Sequence, residues 1–399
     1  MENIPQNERL FLEDLQLVIG KPIPKVSEVG DETFGYVIKK GHITELGLHK
    51  IEAKSLPETI GELQFLEKLN LRHMLLSKLP DNLSNLKNLK YLNLSVNSFW
   101  SYPECVDNLE KLEYLSLYNC TSLKDFPFSI NLPNLKTLDM KYTKIKAVPE
   151  MIQYLTSLEY LDLSVNSLTE LPDFISNLRS LRFLNLKSNS LTQFPSSICN
   201  LTSLEELNLA NNQISEIPNC IENLKSLKKL YLGANRITHI PSAIGNLTLL
   251  EELNISQNPL TNLPDEFGNL RFLTGLNAAL CKLQKLPDSF GNLTSLKFLY
   301  AYSNELNELP DSFGNLRSLE LLDLHKNKLT KLPDNLGNLE FLEQFDVANN
   351  QLKELPLSII NLNKLEKFFL ENNKIKKIPK DIKKWIKTME KLGHTIKFK

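Results

Sequence analysis

The sequence predicts an α/β solenoid, an arc with a concave parallel β-sheet and short helical turns on the convex side. A helix-plus-strand cap is expected at the N terminus and a helical cap at the C terminus. Three observations predict it. A 23-residue unit recurs fifteen times from Lys40 with no net insertion or deletion. Each unit holds a short run with leucines at alternate positions, and each holds a proline some nine residues past that run's last leucine. One unit of this size cannot bury its own leucines, whereas a stack of them builds a continuous core.

Each fixed position of the unit has a physical reason. Residues 155–177 read LTSLEYLDLSVNSLTELPDFISN. Leu161 and Leu163 alternate with period two, which predicts a short strand with both leucines facing inward. Asn166 follows the strand, and its amide can turn inward to bond backbone groups that the turn leaves unpaired. Ten of fifteen units carry this asparagine; Cys120, Thr143 and Cys281 replace it in three, and the first two have Ile51 and Met74. Pro172 suits the first position of a short helical turn, because its φ is preset and its missing N–H is not needed there. In the fourth unit the proline is displaced by one, to Pro127. An acidic residue follows it in nine units, as a helix start favours.

The ends need lids, since a bare terminal repeat exposes its core. Residues 1–39 are expected to form the N-terminal cap, 40–384 the fifteen repeats and 385–399 the C-terminal cap. Phe11, Leu12, Leu15, Val18 and Ile19 share one face of a helix expected to stop at Gly20. Residues 34–39 (FGYVIK) read as a strand that Lys40-Gly41 turns antiparallel onto residues 43–48. Trp385, Ile386, Met389 and Leu392 predict the closing helix, with residues 395–398 covering the last edge.

Composition narrows the function. Forty-six basic against 47 acidic residues give a net charge of −1, which argues against a general nucleic-acid binder. The first twenty residues lack the uninterrupted apolar core of a secretory signal, and no run reaches the length of a membrane span. The five cysteines are odd in number and scattered, with none placed to staple an end, so a reducing, cytoplasmic setting is expected. They are read as packing residues. No phosphate loop, nucleophile elbow, H-E-x-x-H or paired C-x-x-C occurs. His49 and His73 fall on adjacent strands beside Arg72 but lack a third ligand, and are read as solvated. No catalytic residue, cofactor or metal site is therefore expected, and the chain is read as no enzyme.

The pattern L-x-x-L-P-x-x-I-x-N-L, as in LTELPDFISNL (168–178) and LNELPDSFGNL (306–316), resembles the intracellular class of leucine-rich repeats. That class includes the Ras suppressor protein, the repeat domain of Scribble and plant Ras-group-related repeat proteins. The N-terminal IGKPIPKV and TFGYVIKKGHITELGL are similar to the lead-in of prokaryotic, particularly archaeal, members. The resemblance implies a protein-binding solenoid with partners such as small GTPases or phosphatase assemblies. It transfers no binding residue, because such contacts sit at variable positions.

Function is thus sought at the three outward columns of the strands. Ten of these 45 sites are aromatic, far above the chain average of 8%. One group, Tyr231, Phe298, Tyr300 and Tyr302 with Leu321 and His325, is the expected principal partner surface; Tyr91, Tyr114, Tyr118, Tyr160 and Phe183 form a secondary one. β-propensity accounts for part of the excess. Near the first group, Ala278 and Ala301 replace inward leucines, and the outward Gly275, Asn277 and Ala279 predict a shallow recess beside the aromatic wall. Alternating charges from Glu67 and Lys90 to Lys228 and Glu251 read as structural pairs along one edge. The expected function is a scaffold or adaptor that holds a protein partner on the concave face, as a monomer, in intracellular signalling. The alternative is a receptor for an anionic ligand or membrane surface, since residues 371–399 hold ten lysines and three acids.

Overall fold

The structure, a computed structural model, describes residues 4–398. Residues 1–3 of the expected N-terminal cap and residue 399, one of the ten C-terminal lysines, lie outside the described residues. The chain divides into two compact units, Met1–Ser190 and Leu191–Lys399. Each stacks three-residue parallel strands against short 3-10 helices.

The first unit opens with α1 (Gln6–Ile19), which ends at Gly20 in the left-handed conformation, φ 72°. Its buried face is Glu8, Phe11 and Leu15, with Leu12 and Ile19 partly covered. Val18, expected on that face, is exposed. The reason lies at the helix start, where buried Glu8 is tied to the first repeat. Its Oε2 accepts the Ile43 N–H at 2.8 Å and its Oε1 lies 2.7 Å from His42 Nδ1. β1 (Phe34–Lys39) runs antiparallel to β2 (His42–Leu48). The two-residue turn uses positive φ at Lys40 (52°) and Gly41 (80°), which fits the right-handed twist of a hairpin. Parallel strands follow at the 23-residue register, as in Glu45↔Lys68 and Tyr160↔Phe183.

The proline sits one position earlier than expected. Pro57 and Pro172 have helical φ but extended ψ (146° and 153°), so each stands just outside its 3-10 helix. The carbonyl, rather than the missing N–H, does the work: Pro57 O accepts the Ile60 N–H at 3.1 Å. Among the described residues no 3-10 helix lies between Glu104–Asn108 and Glu150–Tyr154, where Pro127 is displaced. Clefts of about 480 and 770 Å³ flank this stretch, and Trp100, Phe128 and Tyr154 are exposed around it.

In the second unit the parallel strands run from Glu206–Asn208 to Lys367–Phe369, and Thr395–Lys397 extends the last pairing, also in parallel. α2 (Lys380–Lys391) starts five residues before the expected cap boundary and buries Ile382, Ile386 and Met389. Trp385 meets Phe368 edge-on at 6.4 Å. Leu392 lies just past the helix end and is exposed, contrary to expectation. Repeats that carry Ala278 and Ala301 at the inward strand position also carry the buried Phe290 and Phe313; Phe290 stacks on Phe267 at 6.3 Å and on Phe313 at 6.2 Å. Volume lost at one wall of the core is thus returned at the other.

The asparagine ladder forms as expected. Asn235 Nδ2 donates to the carbonyls of Leu209 and Leu232, both at 2.9 Å, and its Oδ1 accepts the Ile214 N–H. Just before it the backbone turns left-handed: Ala234 has φ 56°, as do its counterparts Val96 (57°), Val165 (55°) and Leu280 (56°). One cysteine expectation is corrected. Cys199 and Cys220 form a disulfide with Cα atoms 5.7 Å apart, while Cys105, Cys120 and Cys281 stay free. Their separation of 21 residues, two short of the repeat, brings them face to face across adjacent 3-10 helices.

Candidate functional site

The outward strand columns are built by the same alternation that buries the leucines. The middle column has a local task. Asn93, Asp162, Asn185, Asn208, Asn254, Asn277 and Asp323 each accept the N–H of the residue two places on, at 2.8–3.2 Å. A short polar side chain here locks the end of the strand. Tyr231, Tyr300 and Phe369 occupy this column and give up that lock.

In the first unit the secondary cluster is engaged within the fold. Tyr91 stacks on Tyr114 at 4.3 Å, and Lys68 lies 4.8 Å over the Tyr91 ring. Tyr91 OH also donates to Asp31 Oδ1 at 3.1 Å, and Asn70 Nδ2 reaches the carbonyls of Gly30 and Asp31. The segment before β1 therefore lies over the outward face of the first strands, an arrangement that no local pattern announces. Burial is the first cause that pushes the Tyr91 phenol well above its ordinary range. Arg72 and Lys141 approach the Tyr118 ring, and Tyr160 stacks on Phe183 at 4.2 Å. His49 is buried with both ring nitrogens unpaired, rather than solvated, and burial lowers its pKa.

In the second unit the principal residues separate into two groups. Tyr231 belongs to a polar net three strands before Tyr300: its OH donates to Glu252 Oε2 at 2.7 Å, and Lys229 pairs with the same carboxylate. Phe298 and Leu321 face each other across adjacent strands, and Tyr300 is paired with Asp323. Tyr302 stacks flat on His325, with centroids 4.7 Å apart and planes 7° from parallel. Phe298 is 41% exposed. In the expected recess, Ala279 is only 1% exposed between the strands carrying Ser256 and Tyr302.

The charged edge forms pairs, with Lys90–Glu67 at 3.2 Å, Lys136–Glu113 at 3.4 Å and Lys228–Glu205 at 2.9 Å. All are partly or half exposed, so they contribute little to stability. Lys383, Lys384 and Lys387 are exposed on α2, away from its buried residues; a solvated cap accounts for them. Among the described residues no helix is long and apolar enough to cross a membrane.

A stack of strands with variable outward side chains defines a repeat protein of the binding type, and comparison with known proteins agrees. The model of a leucine-rich repeat region matches residues 25–130, 173–258 and 253–328. Two further leucine-rich-repeat models match 118–168 and 133–191, and 318–339. The chain belongs to the leucine-rich-repeat family, whose members generally mediate protein–protein interaction. A leucine-rich-repeat protein of Leptospira interrogans is similar to it at 35% identity, over 85% of this chain and 87% of that one, with a TM-score of 0.79. YopM, a leucine-rich effector protein from Yersinia pestis, shares 28% identity over 84% and 85% of the two chains, with a TM-score of 0.63. An internalin of Listeria monocytogenes shares the fold at 24% identity, over 89% and 93%, with a TM-score of 0.62. No curated protein matches.

Proposed function

We propose that the chain is a non-catalytic scaffold that holds a protein partner on the outward sheet face of its second unit, at Phe298, Tyr300, Tyr302, Leu321 and His325. The observation that carries this reading is the half-exposed Phe298 beside Leu321 on the adjoining strand and Tyr300 and Tyr302 on its own, on a face where most neighbours are short and polar. Rigid aromatics at the centre of a contact supply much of its binding energy. The first-unit aromatics serve this purpose less well, since Asp31, Lys68, Arg72 and one another already engage them.

In the same reading the protein is a monomeric, prokaryotic member of the 23-residue class and works in cytoplasmic signalling, with a small GTPase or phosphatase assembly as partner. The bacterial source of two similar proteins supports the origin. The Cys199–Cys220 pair weighs against the cytoplasm. A photo-crosslinking residue placed at 298 or at 114 tests the surface. Crosslinks to one partner from position 298 alone are expected; crosslinks from 114 alone would move the surface to the first unit.

A further inference from the structure

Two places in the sheet set aspartates side by side in the middle outward column of adjoining strands: Asp139↔Asp162 and Asp323↔Asp346. Like charges facing each other in this way repel, and the two pairs are relieved differently. The first has donors on both flanks: Ser116 Oγ donates to Asp139 Oδ2 at 3.2 Å, and Asn185 Nδ2 donates to Asp162 Oδ2 at 3.0 Å. The second is flanked by Tyr300 and Phe369. Burial first, and the facing aspartate, push up the carboxyls of Asp346 and of Asp139 alike, so the pairs differ in their flanking groups. The outward positions of these two strands are Leu321, Asp323 and His325, and Gln344, Asp346 and Ala348, with no lysine or arginine among them. Glu371, farther along, adds a further negative charge.

His325 completes the cluster. Its Nδ1 lies 2.7 Å from Asp323 Oδ1 and 3.9 Å from Asp346 Oδ2, and one donor atom from each of the three residues falls within 4.8 Å of the others. Backbone N–H groups hold both carboxylates, from His325 at 3.2 Å and from Ala348 at 3.0 Å, and Tyr302 fixes the imidazole plane. Such outer support orients ligands before an ion arrives. Ligand atoms about 2.0–2.2 Å from a small divalent ion lie roughly 3–3.5 Å apart, a spacing that the two histidine distances bracket.

We propose that Asp323, His325 and Asp346 form a binding site for a first-row divalent transition ion of the zinc or manganese type. One imidazole with two carboxylates suits such ions better than calcium or magnesium, which prefer oxygen alone. Binding displaces the Nδ1 proton to solvent and leaves coordination positions open toward the outward face. The site does not rest on the partner-binding reading, because the isolated chain is expected to bind the ion.

Calorimetric titration of the full chain with Zn2+ and with Mn2+ tests it, beside Ca2+. Wild type is expected to take up one equivalent that His325→Ala and Asp346→Asn each weaken at least tenfold, while Asp139→Asn at the hydrogen-bonded pair leaves it unchanged. Thermal melts of each variant without metal verify folding, and the wild-type melting temperature is expected to rise with Zn2+. No saturable binding, binding indifferent to His325→Ala, or Ca2+ binding as tight as Zn2+ would each overturn the proposal.

Discussion

Asn235 Oδ1 lies 3.0 Å from the amide nitrogen of Ile214, a residue of the preceding repeat. The same side chain donates to two carbonyls, so one amide closes three backbone bonds in a buried turn. Asn235→Ala should destabilise the protein by about 1–3 kcal/mol for each group left unpaired. Calorimetry against Thr202→Ala, an exposed position, gives the comparison. Asn211 is a poor control, since it sits at φ 56°, where asparagine is itself favoured. Equal melting temperatures for the two variants would reject the ladder's role.

Val165 is β-branched and yet left-handed, at φ 55°, with its N–H held by Lys187 O at 2.8 Å. That conformation costs an ordinary residue roughly 1–2 kcal/mol, and asparagine less. Val165→Asn keeps the hydrogen bond and should stabilise the protein by about 1 kcal/mol, read as a higher urea midpoint at unchanged slope. A lowered midpoint would show that contacts of the valine outweigh its backbone strain.

Thiol counting tests the disulfide. Burial pushes the Cys105 and Cys120 thiols up to about 12 and raises that of Cys281, so the native protein should react slowly with thiol reagents. Unfolded without reductant it should show three thiols, and with reductant five. Five in both conditions would mean that Cys199 and Cys220 stay apart, which suits a reducing cell. Cys220→Ser should cost about 3 kcal/mol, the usual effect of closing a loop near this length.

Tyr300→Ala with Tyr302→Ala should lower partner affinity at least tenfold, about 1.4 kcal/mol, with little change in melting temperature. Tyr114→Ala with Tyr160→Ala should cost more stability, because two ring stacks at 4.3 and 4.2 Å are lost, against the Tyr302–His325 stack at 4.7 Å in the first pair. Binding lost only in the second pair would move the contact surface to the first unit. Stability lost without a binding defect in the first pair would reduce its aromatics to sheet packing.

The repeat, the asparagine ladder, the hairpin at Lys40-Gly41 and the closing helix were legible because each rests on local chemistry repeated at fixed spacing. Long-range features were not. Nothing local tells that Asp31 reaches Tyr91 sixty residues on, or that Glu8 seats α1 by its first turns. Cys199 and Cys220 looked scattered because their spacing becomes meaningful only after subtraction of the period. Asp323 and Asp346 escaped notice for a related reason. They are 23 residues apart, so motif spacings drawn from single helices and loops pass over them. Writing the outward columns as columns would have shown both aspartate pairs, though not that Ser116 and Asn185 donate to the first pair from its flanking strands while His325 meets the second.

The ladder bonds recur at constant offsets: Asn235 to Leu209 and Asn258 to Leu232 span 26 residues, Ile214 to Asn235 and Ile237 to Asn258 span 21. Excision of residues 224–246 would join Asn223 to Leu247 and put Asn258 where Asn235 stood, so that each ladder bond it breaks finds an equivalent partner in the next repeat. Removal of twenty-two or twenty-four residues offers no such substitution. The length of this stack is therefore quantised, and a gene of this kind can grow or shrink by whole turns while intermediate lengths are closed to it.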